Sequence, residues 1–397
     1  MSQHCPDINS PQFGQQACST IVELVLEHLP LGIKGSKIDD RLALDILCYA
    51  SVKRISIESA CMELAGAPAG NTTREHLDAA LDPSREGIRE LEAQLNQALK
   101  AQLPKRVCRR IKKRRIETAA DLVEIAYHGQ ALVDEAEVRR GAAKSGTTPF
   151  HMYATLAVVH RKQRFTLAMT FVWAGETMDV VLARLLRRAR ELSVRLRRLY
   201  CDKGFCSVAV LRLLRQRRVP YLIPIPARGG VGGIKGLFYG QRSYSTRYTF
   251  NRGTRAAYTT EVVIVCKYSA GRYGQHGVEY FAYAVYGLGP IEAHQLFELY
   301  RRRFGIETSY RQLHQVRART SSRNPALRLL LVGLALLIVN LWVLLCRTWV
   351  QMTRYGERVR VVELTLERVA DALVDSFKQL LGVIPVFQVT AVLHATT

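Results

Sequence analysis

The sequence lacks the patterns of a metal–thiolate site, a disulfide framework or a nucleotide-binding loop. Its nine cysteines are odd in number and scattered, and none form a Cys-x2-Cys pair, so a structural zinc site is not expected. The glycine-rich stretch 229–233 has no Gly-Lys-Ser/Thr after it, which predicts no nucleotide cofactor. No signal peptide is evident. These absences favour a reduced, cytoplasmic protein.

Acidic residues are scarce beside basic ones. Lys and Arg number 57 against 34 Asp and Glu, which gives a formal charge of +23. A charge of this sign favours nucleic acid or an anionic membrane as partner. The bases cluster in two runs, 105–115 and 184–198, that could neutralise a track of phosphates; a flexible linker and a solvated helix face are the alternatives. The candidate DNA-binding residues in the first run are Arg109, Lys112, Lys113 and Arg114.

Long apolar runs are rare, with one exception near the C-terminal end. Leu329 to Val339 has no polar side chain, and the run continues past Asn340 to Cys346. Its length approaches that of a membrane span. Asn340 inside the run and the lack of a second span favour a buried core helix and predict no membrane partner. A membrane-associated basic protein is the less favoured alternative.

The first 104 residues show helical periodicity and predict a helical DNA-binding domain. Ser56 to Leu64 is followed by a turn and then by Asn71-Thr-Thr-Arg-Glu-His-Leu77, with Asn71 or Thr72 as the expected cap. Two short helices around such a turn predict a helix-turn-helix near 55–82, although any helical hairpin looks similar. Its second helix would enter the major groove with the DNA-binding residues Thr72, Arg74 and His76.

One stretch, from Tyr300 to His314, places a single carboxylate among bases. On an ideal helix, positions 300, 303, 307, 311 and 314 fall within a stripe about 80° wide. That face could hold an anionic substrate and a metal together, whereas a solvated helix with Glu–Arg pairs is the alternative. The residues on the stripe are Tyr300, Arg303, Glu307, Arg311 and His314.

This stripe resembles the Tyr-x2-Arg-x3-Glu-x6-Lys signature of DDE-class insertion-sequence transposases, with His314 in place of the Lys. Val316 to Ser322 resembles the branch best known from halophilic archaea, within the insertion sequence 4 superfamily. Two further segments are similar to the strands that supply that family's aspartates. They are Asp121-Leu-Val-Glu-Ile-Ala-Tyr-His-Gly129 and Leu199-Tyr-Cys-Asp-Lys-Gly-Phe-Cys206.

The resemblance implies an α/β fold: an RNase H-like mixed sheet flanked by helices, with a β-rich insertion and an N-terminal helical domain. It implies the following division after residue 104. A basic linker would span 105–117, the first part of the catalytic core 118–206, the β-rich insertion 207–290, the catalytic and core helices 291–350, and a C-terminal region 351–397.

The resemblance also implies a catalytic site of three acids, Asp121, Asp202 and Glu307, which would bind two divalent ions. Mg²⁺ is expected, with Mn²⁺ able to substitute, because carboxylate oxygens are the hard ligands that Mg²⁺ prefers. Two such ions can stabilise both the attacking and the leaving oxygen of a phosphoryl transfer. Asp134 and Glu124 remain rivals of Asp121 for the first position.

By the same resemblance, four residues would hold the substrate phosphate: Tyr300, Arg303, Arg311 and His314. The expected function is that of a DNA transposase that cleaves element ends and joins them to target DNA. It would act on terminal inverted repeats as a homo-oligomer on DNA, in the cytoplasm with the nucleoid. The alternative is a catalytically inactive, transposase-derived protein that binds DNA through the same basic surfaces.

Overall fold

Helices form the first hundred residues, as their periodicity indicated. The computed structural model describes residues 10–160, 163–229, 232–270, 276–289, 291–301, 312–348, 351–355, 358–362 and 364–385. Polar side chains cap several of these helices: Ser10 accepts from the Phe13 N–H and Asp39 from the Leu42 N–H. The helices are α1 (Pro11–His28), α2 (Asp40–Lys53), α3 (Ile57–Glu63), α4 (Gly70–Ala80), α5 (Arg85–Ala101) and α6 (Lys105–Lys113).

Helix α4 begins earlier than the sequence predicted. Its N-cap position is Ala69, which makes no side-chain capping bond, so the expectation of Asn71 or Thr72 as the cap is wrong. Gly70, the first residue of α4, lies beside the Glu58 side chain of α3. A Cβ atom at position 70 would lie 2.1 Å from the Glu58 carboxylate, so glycine lets the backbone approach that side chain closely.

The stretch predicted as a basic linker is mostly helix. Helix α6 covers Lys105 to Lys113, and strand β1 starts at Ile116. Ile111 is buried in a cluster with Leu103 and Leu192, and Val107 packs on the same cluster. The linker expectation is therefore corrected: apolar side chains at helical spacing bury one face of α6, while the bases occupy the other.

A mixed sheet forms the centre of the fold. Its order is β2-β3-β1-β5-β6-β9-β8-β7, with β4 also paired to β3. Strand β1 is antiparallel to β3 and parallel to β5, and β6 is parallel to β5. This is the RNase H-like mixed sheet that the sequence predicted. The first strands are β1 (Ile116–Ala126), β2 (Arg139–Lys144), β3 (Thr147–His160), β4 (Gln163–Val172), β5 (Leu196–Cys201) and β6 (Tyr221–Pro224).

The region between residues 207 and 290 adds strands to this same sheet. After α8 (Val208–Gln216) and β6 come β7 (Tyr244–Phe250), β8 (Tyr258–Ala270) and β9 (His276–Tyr286). Tyr221 in β6 is the register partner of Tyr286 in β9, and the two strands are antiparallel. The predicted β-rich insertion therefore extends the central mixed sheet at one edge.

Helices cover both faces of the sheet. On one face lie α7 (Met178–Glu191) and α8, whose apolar side chains pack in one cluster with Ala120 and Cys201 of the sheet. On the other face lie α9 (Gln295–Arg301), α10 (Pro325–Thr348) and the N-terminal helices. Alternate strand residues point to opposite faces, so Asp121 shares the second face with Ala119.

The N-terminal helices do not have a hydrophobic core of their own. Apolar residues of α1 to α5 join one cluster with α10, with α11 (Leu366–Leu381) and with the sheet residues Tyr153, Met169 and Phe171. The predicted domain boundary at residue 104 therefore does not separate two hydrophobic cores. Strands β10 (Gln351–Tyr355) and β11 (Arg358–Val362) pair in a separate two-stranded sheet.

Helix α10 contains the long apolar run. Among the described residues it is the one helix long and apolar enough to cross a membrane, and most of it is buried inside the protein. The side-chain amide of Asn340 accepts from the Thr166 N–H (2.8 Å) and donates to the Thr166 carbonyl (2.9 Å) in β4. A buried polar side chain needs such partners, so Asn340 fixes α10 against the sheet.

The outer edge of β4 is covered by side chains from the helices. Asn96 of α5 pairs through its amide with both backbone groups of Met169. Glu92, one turn earlier, accepts from the Phe171 N–H at 2.9 Å. Together with Asn340, these residues bind backbone groups that would otherwise be open to another strand.

Candidate active site

Two of the predicted acids lie side by side, one within the sheet and one directly after the neighbouring strand. Strands β1 and β5 are parallel neighbours, and their last paired residues are Ala120 and Cys201. Asp121 and Asp202 each follow directly, at matching positions on strands that are about 4.8 Å apart. Asp121 is buried within β1 and Asp202 is half-buried just after β5. The structure thus brings together two residues that are 81 positions apart in the chain.

The backbone after β5 fixes the position of Asp202. Asp202 precedes a short helical turn, Lys203–Phe205, and its carbonyl accepts from the Phe205 N–H at 3.0 Å. Phe205 is fully buried beneath this turn. A Cβ atom at Gly204 would lie 3.1 Å from Leu122 Cδ1 of β1, so glycine allows the turn to pack closely against the neighbouring strand.

Asp121 has a buried cation beside it. Arg164 of β4 places its Nη1 atom 3.8 Å from Asp121 Oδ2, and both side chains are almost fully buried. Arg164 Nη2 also donates to the Thr155 hydroxyl at 2.9 Å. Thr155 is the register partner of Asp121 on β3. Sequence reasoning missed both residues, because the β3–β4 pairing that brings Arg164 close is not visible as a motif.

Helix α9 packs on the sheet face that carries Asp121. Leu296, Leu299 and Tyr300 pack on the sheet face that Ala119 and Asp121 share. The Tyr300 hydroxyl donates to the carbonyl of Cys201 at 3.2 Å, immediately before Asp202. In this structure Tyr300 anchors α9, and its predicted phosphate contact stays a prediction. The chain continues into 302–311, so Arg303, Glu307 and Arg311 lie outside the described residues.

The two rivals of Asp121 have other partners. Glu124 points to the opposite face of β1 from Asp121, since the two are an odd number of residues apart, and it forms an ion pair with Lys144. Asp134 caps the turn Glu135–Glu137 and pairs with Arg85 at 2.5 Å. Both acids therefore have contacts away from Asp202, which favours Asp121 as the first ligand.

His314 lies in the helical turn 312–315, beyond the stretch that contains Glu307. Desolvation and the positive charges of Arg317 and Arg54 lower its pKa from the ordinary value of 6.5. The imidazole is therefore neutral at pH 7. A neutral imidazole can donate one hydrogen bond to a phosphate oxygen but adds no charge.

Comparison with known proteins identifies the family. Residues 125–341, more than half of the chain, match the family model described as "Transposase DDE domain". The chain belongs to the DDE transposase family. It is therefore a DNA transposase, an enzyme of nuclease and transferase chemistry. The match begins four residues after Asp121.

A solved structure shows the same fold. It is described as a "Cryo-EM structure of piggyBac transposase synaptic complex with hairpin DNA", and it superposes with a TM-score of 0.52 over 95% of this chain and 81% of that one. The two sequences are 11% identical. No curated protein matches this sequence.

DDE transposases use divalent metal ions, and the acids of this chain fit that use in part. Asp121 and Asp202 supply two hard oxygen donors at adjacent positions, as Mg²⁺ and Mn²⁺ require. Within the described ranges, no three His, Cys, Asp or Glu side chains lie close enough together to hold a metal. Glu307, the third acid expected from the sequence, lies in 302–311, outside the described residues.

The candidate DNA-binding residues of this transposase lie on two helices. On α4, Arg74 is exposed, Thr72 and His76 are half-buried, and Thr73 and Leu77 face the core. In and after α6, the bases predicted to bind DNA all face solvent: Arg109, Lys112, Lys113 and Arg114. The structure therefore leaves both sets able to contact a partner.

Proposed function

We propose that this transposase cleaves DNA at the terminal inverted repeats of its element and joins the resulting 3′ hydroxyl ends to target DNA, with Asp121, Asp202 and Glu307 as catalytic residues. The single observation behind this proposal is the adjacency of Asp121, within β1, and Asp202, directly after the carboxyl end of β5. In open α/β sheets, ligands bind outside the carboxyl ends of the strands.

The acids would hold two Mg²⁺ ions, with Mn²⁺ as a substitute; when bound, these ions supply an activated oxygen nucleophile and stabilise the leaving oxygen. The protein contributes fixed positions. Asp121 lies in an interior strand with neighbours on both sides. Tyr300 ties the start of the Glu307 segment to the residue before Asp202, so α9 would direct Glu307 toward the two aspartates.

The remaining residues of the stripe would position the scissile phosphate. Arg303 and Arg311 provide guanidinium groups that can bind a phosphate with two hydrogen bonds each. His314, neutral at pH 7, would add a hydrogen bond where related signatures have a charged Lys. Tyr300 could join them only by leaving its contact with the Cys201 carbonyl.

We also propose the branch of the transposase family to which this protein belongs. The signature and the segment Val316 to Ser322 support the insertion sequence 4 superfamily and its halophilic-archaeal branch. Helix α4 would read the inverted repeat, and the bases of α6 would hold its backbone. We place the protein on DNA in the cytoplasm, as a homo-oligomer that pairs two element ends, and not at a membrane.

The test uses end cleavage in single turnover with a duplex that contains the element end. Asp121→Asn, Asp202→Asn and Glu307→Gln should each lower the cleavage rate by at least about a thousandfold, because each removes a metal ligand. Affinity for the duplex should change by less than about threefold. Glu117→Gln is the matched control: Glu117 lies on the same face of β1, four residues before Asp121, and pairs with Arg198.

The cleavage rates of the variants decide which residues are the metal ligands. Wild-type cleavage in Asp121→Asn would move the first ligand to Asp134 or Glu124. An equal loss in Glu117→Gln would show that any change in this strand disables the protein and would contradict the site. Specific end binding by the wild-type protein without cleavage in Mg²⁺ or Mn²⁺ would support the catalytically inactive alternative.

A further inference from the structure

The contact between Arg164 and Asp121 has a consequence for metal binding. Arg164 is 7% exposed and Asp121 is 3% exposed, so water screens their charges only weakly. An ionised carboxylate at this depth needs a compensating charge. Arg164 supplies part of that charge through the 3.8 Å contact with Asp121 Oδ2.

A second, partly buried ion pair joins β5 to the strand that contains Asp121 and provides a comparison. Arg198 Nη1 of β5 lies 3.1 Å from Glu117 Oε1, and the Tyr200 hydroxyl donates to Glu117 Oε2 at 2.9 Å. Both oxygens of Glu117 thus accept hydrogen bonds from fixed neighbours. Arg164 and Asp121, by contrast, form an ion pair whose atoms are too far apart for a hydrogen bond. The guanidinium group of Arg164 is held in place by its hydrogen bond to the Thr155 hydroxyl.

A divalent ion on Asp121 would meet Arg164 directly. The ion and the guanidinium are both positive, and their repulsion is strong because the surroundings are poorly screened. The negative charge of a DNA phosphate at the site would reduce this repulsion. Metal and DNA would then favour each other's binding, since any such coupling is reciprocal.

We propose that Arg164 is a positioning residue that neutralises Asp121 in the metal-free protein and weakens divalent-ion binding until DNA occupies the site. The inference rests on the proposed function, because it takes Asp121 as a metal ligand. Arg164 thereby suppresses metal loading in protein that is not bound to DNA.

The experiment measures Mn²⁺ affinity of the full-length, DNA-free protein from the electron paramagnetic resonance signal of unbound Mn²⁺. Arg164→Gln should bind Mn²⁺ at least about tenfold more tightly than wild type, since it removes a positive charge beside the ligand. Arg198→Gln, the matched change in the Glu117 pair, should stay within about twofold of wild type. Equal or weaker affinity in Arg164→Gln would overturn the inference.

Two further variants keep the result interpretable. Asp121→Asn should abolish the Mn²⁺ binding that Arg164→Gln strengthens; if it binds like wild type, the proposed site fails and not only the role of Arg164. Thr155→Val removes the hydroxyl that holds the guanidinium and suits a buried strand. It should raise Mn²⁺ affinity severalfold, and an unchanged affinity would count against the inference even if Arg164→Gln does not fold.

Discussion

The two arginine-rich runs look alike in the sequence and differ in the fold. In and after α6, the described bases face solvent. In the run 184–198, Arg184 contacts Glu176 and donates to the Phe171 carbonyl at 2.7 Å, and Arg198 pairs with Glu117. Arg184 and Arg198 are therefore part of the packed structure, because an acid or a backbone carbonyl lies within reach of each guanidinium group. The density of positive charge therefore does not locate a DNA-binding surface by itself.

The largest effect expected from this comparison is on stability. Arg184→Met should lower the free energy of unfolding by about 2–4 kcal/mol, because it leaves Glu176 and the Phe171 carbonyl without their partner. Denaturant titration of wild type and variant, followed by circular dichroism, measures the difference. A loss below about 0.5 kcal/mol would show that Arg184 is no more structural than the bases of α6.

The same pair should make stability depend on pH. Desolvation acts against it, but hydrogen bonds from Arg184 and from the Trp173 N–H lower the pKa of Glu176 from its ordinary value of 4.5. A carboxyl group whose pKa is lower in the folded state than in the unfolded state contributes stability at pH values above the unfolded-state pKa. This contribution is lost as the pH falls through the folded-state pKa. The difference between wild type and Arg184→Met should therefore shrink between pH 6 and pH 3.

An intermediate effect is expected on DNA binding. The triple change of Lys112, Lys113 and Arg114 to Ala should weaken binding to a random duplex by about tenfold to a hundredfold at moderate salt. It should also reduce the slope of log K against log salt by about 2.7, if each base neutralises one phosphate. Fluorescence anisotropy over a salt series measures both quantities. An unchanged slope would exclude the α6 bases from the DNA contact.

The smallest effect is expected for Arg187, an exposed neighbour of Arg184 on α7. Arg187→Ala should change the free energy of unfolding by no more than about 0.5 kcal/mol, as usual for a surface site. DNA affinity should change by less than about threefold in the same anisotropy assay. A tenfold loss of affinity would show that the exposed face of α7 also contacts DNA.

The parts of the site that follow a local rule could be predicted from the sequence. The segment Leu199 to Cys206 resembles a strand that supplies an aspartate, and in the structure Asp202 directly follows β5, with Gly204 packed closely against Leu122. The order of strands and the β-rich insertion followed from the family resemblance. The adjacency of Asp121 and Asp202 then results from the parallel pairing of β1 with β5.

The features that sequence reasoning missed depend on contacts between distant segments. Helix α4 starts at Gly70, beside the Glu58 side chain of α3, and the better capping residues Asn71 and Thr72 are not used. Arg164 reaches Asp121 across β3, through a pairing with an irregular register near Leu156. The shared core of the N-terminal helices with α10 likewise depends on packing that local periodicity does not encode.

The covered edge of β4 restricts how copies of this protein can associate. Its backbone groups at Thr166, Met169 and Phe171 already bind Asn340, Asn96 and Glu92. A strand from a second molecule could pair there only by displacing two helices, α5 and α10, from the core. Two transposase molecules that meet on paired DNA ends would therefore have to associate through helix surfaces, through the opposite edge of the sheet at β7, or through the DNA itself.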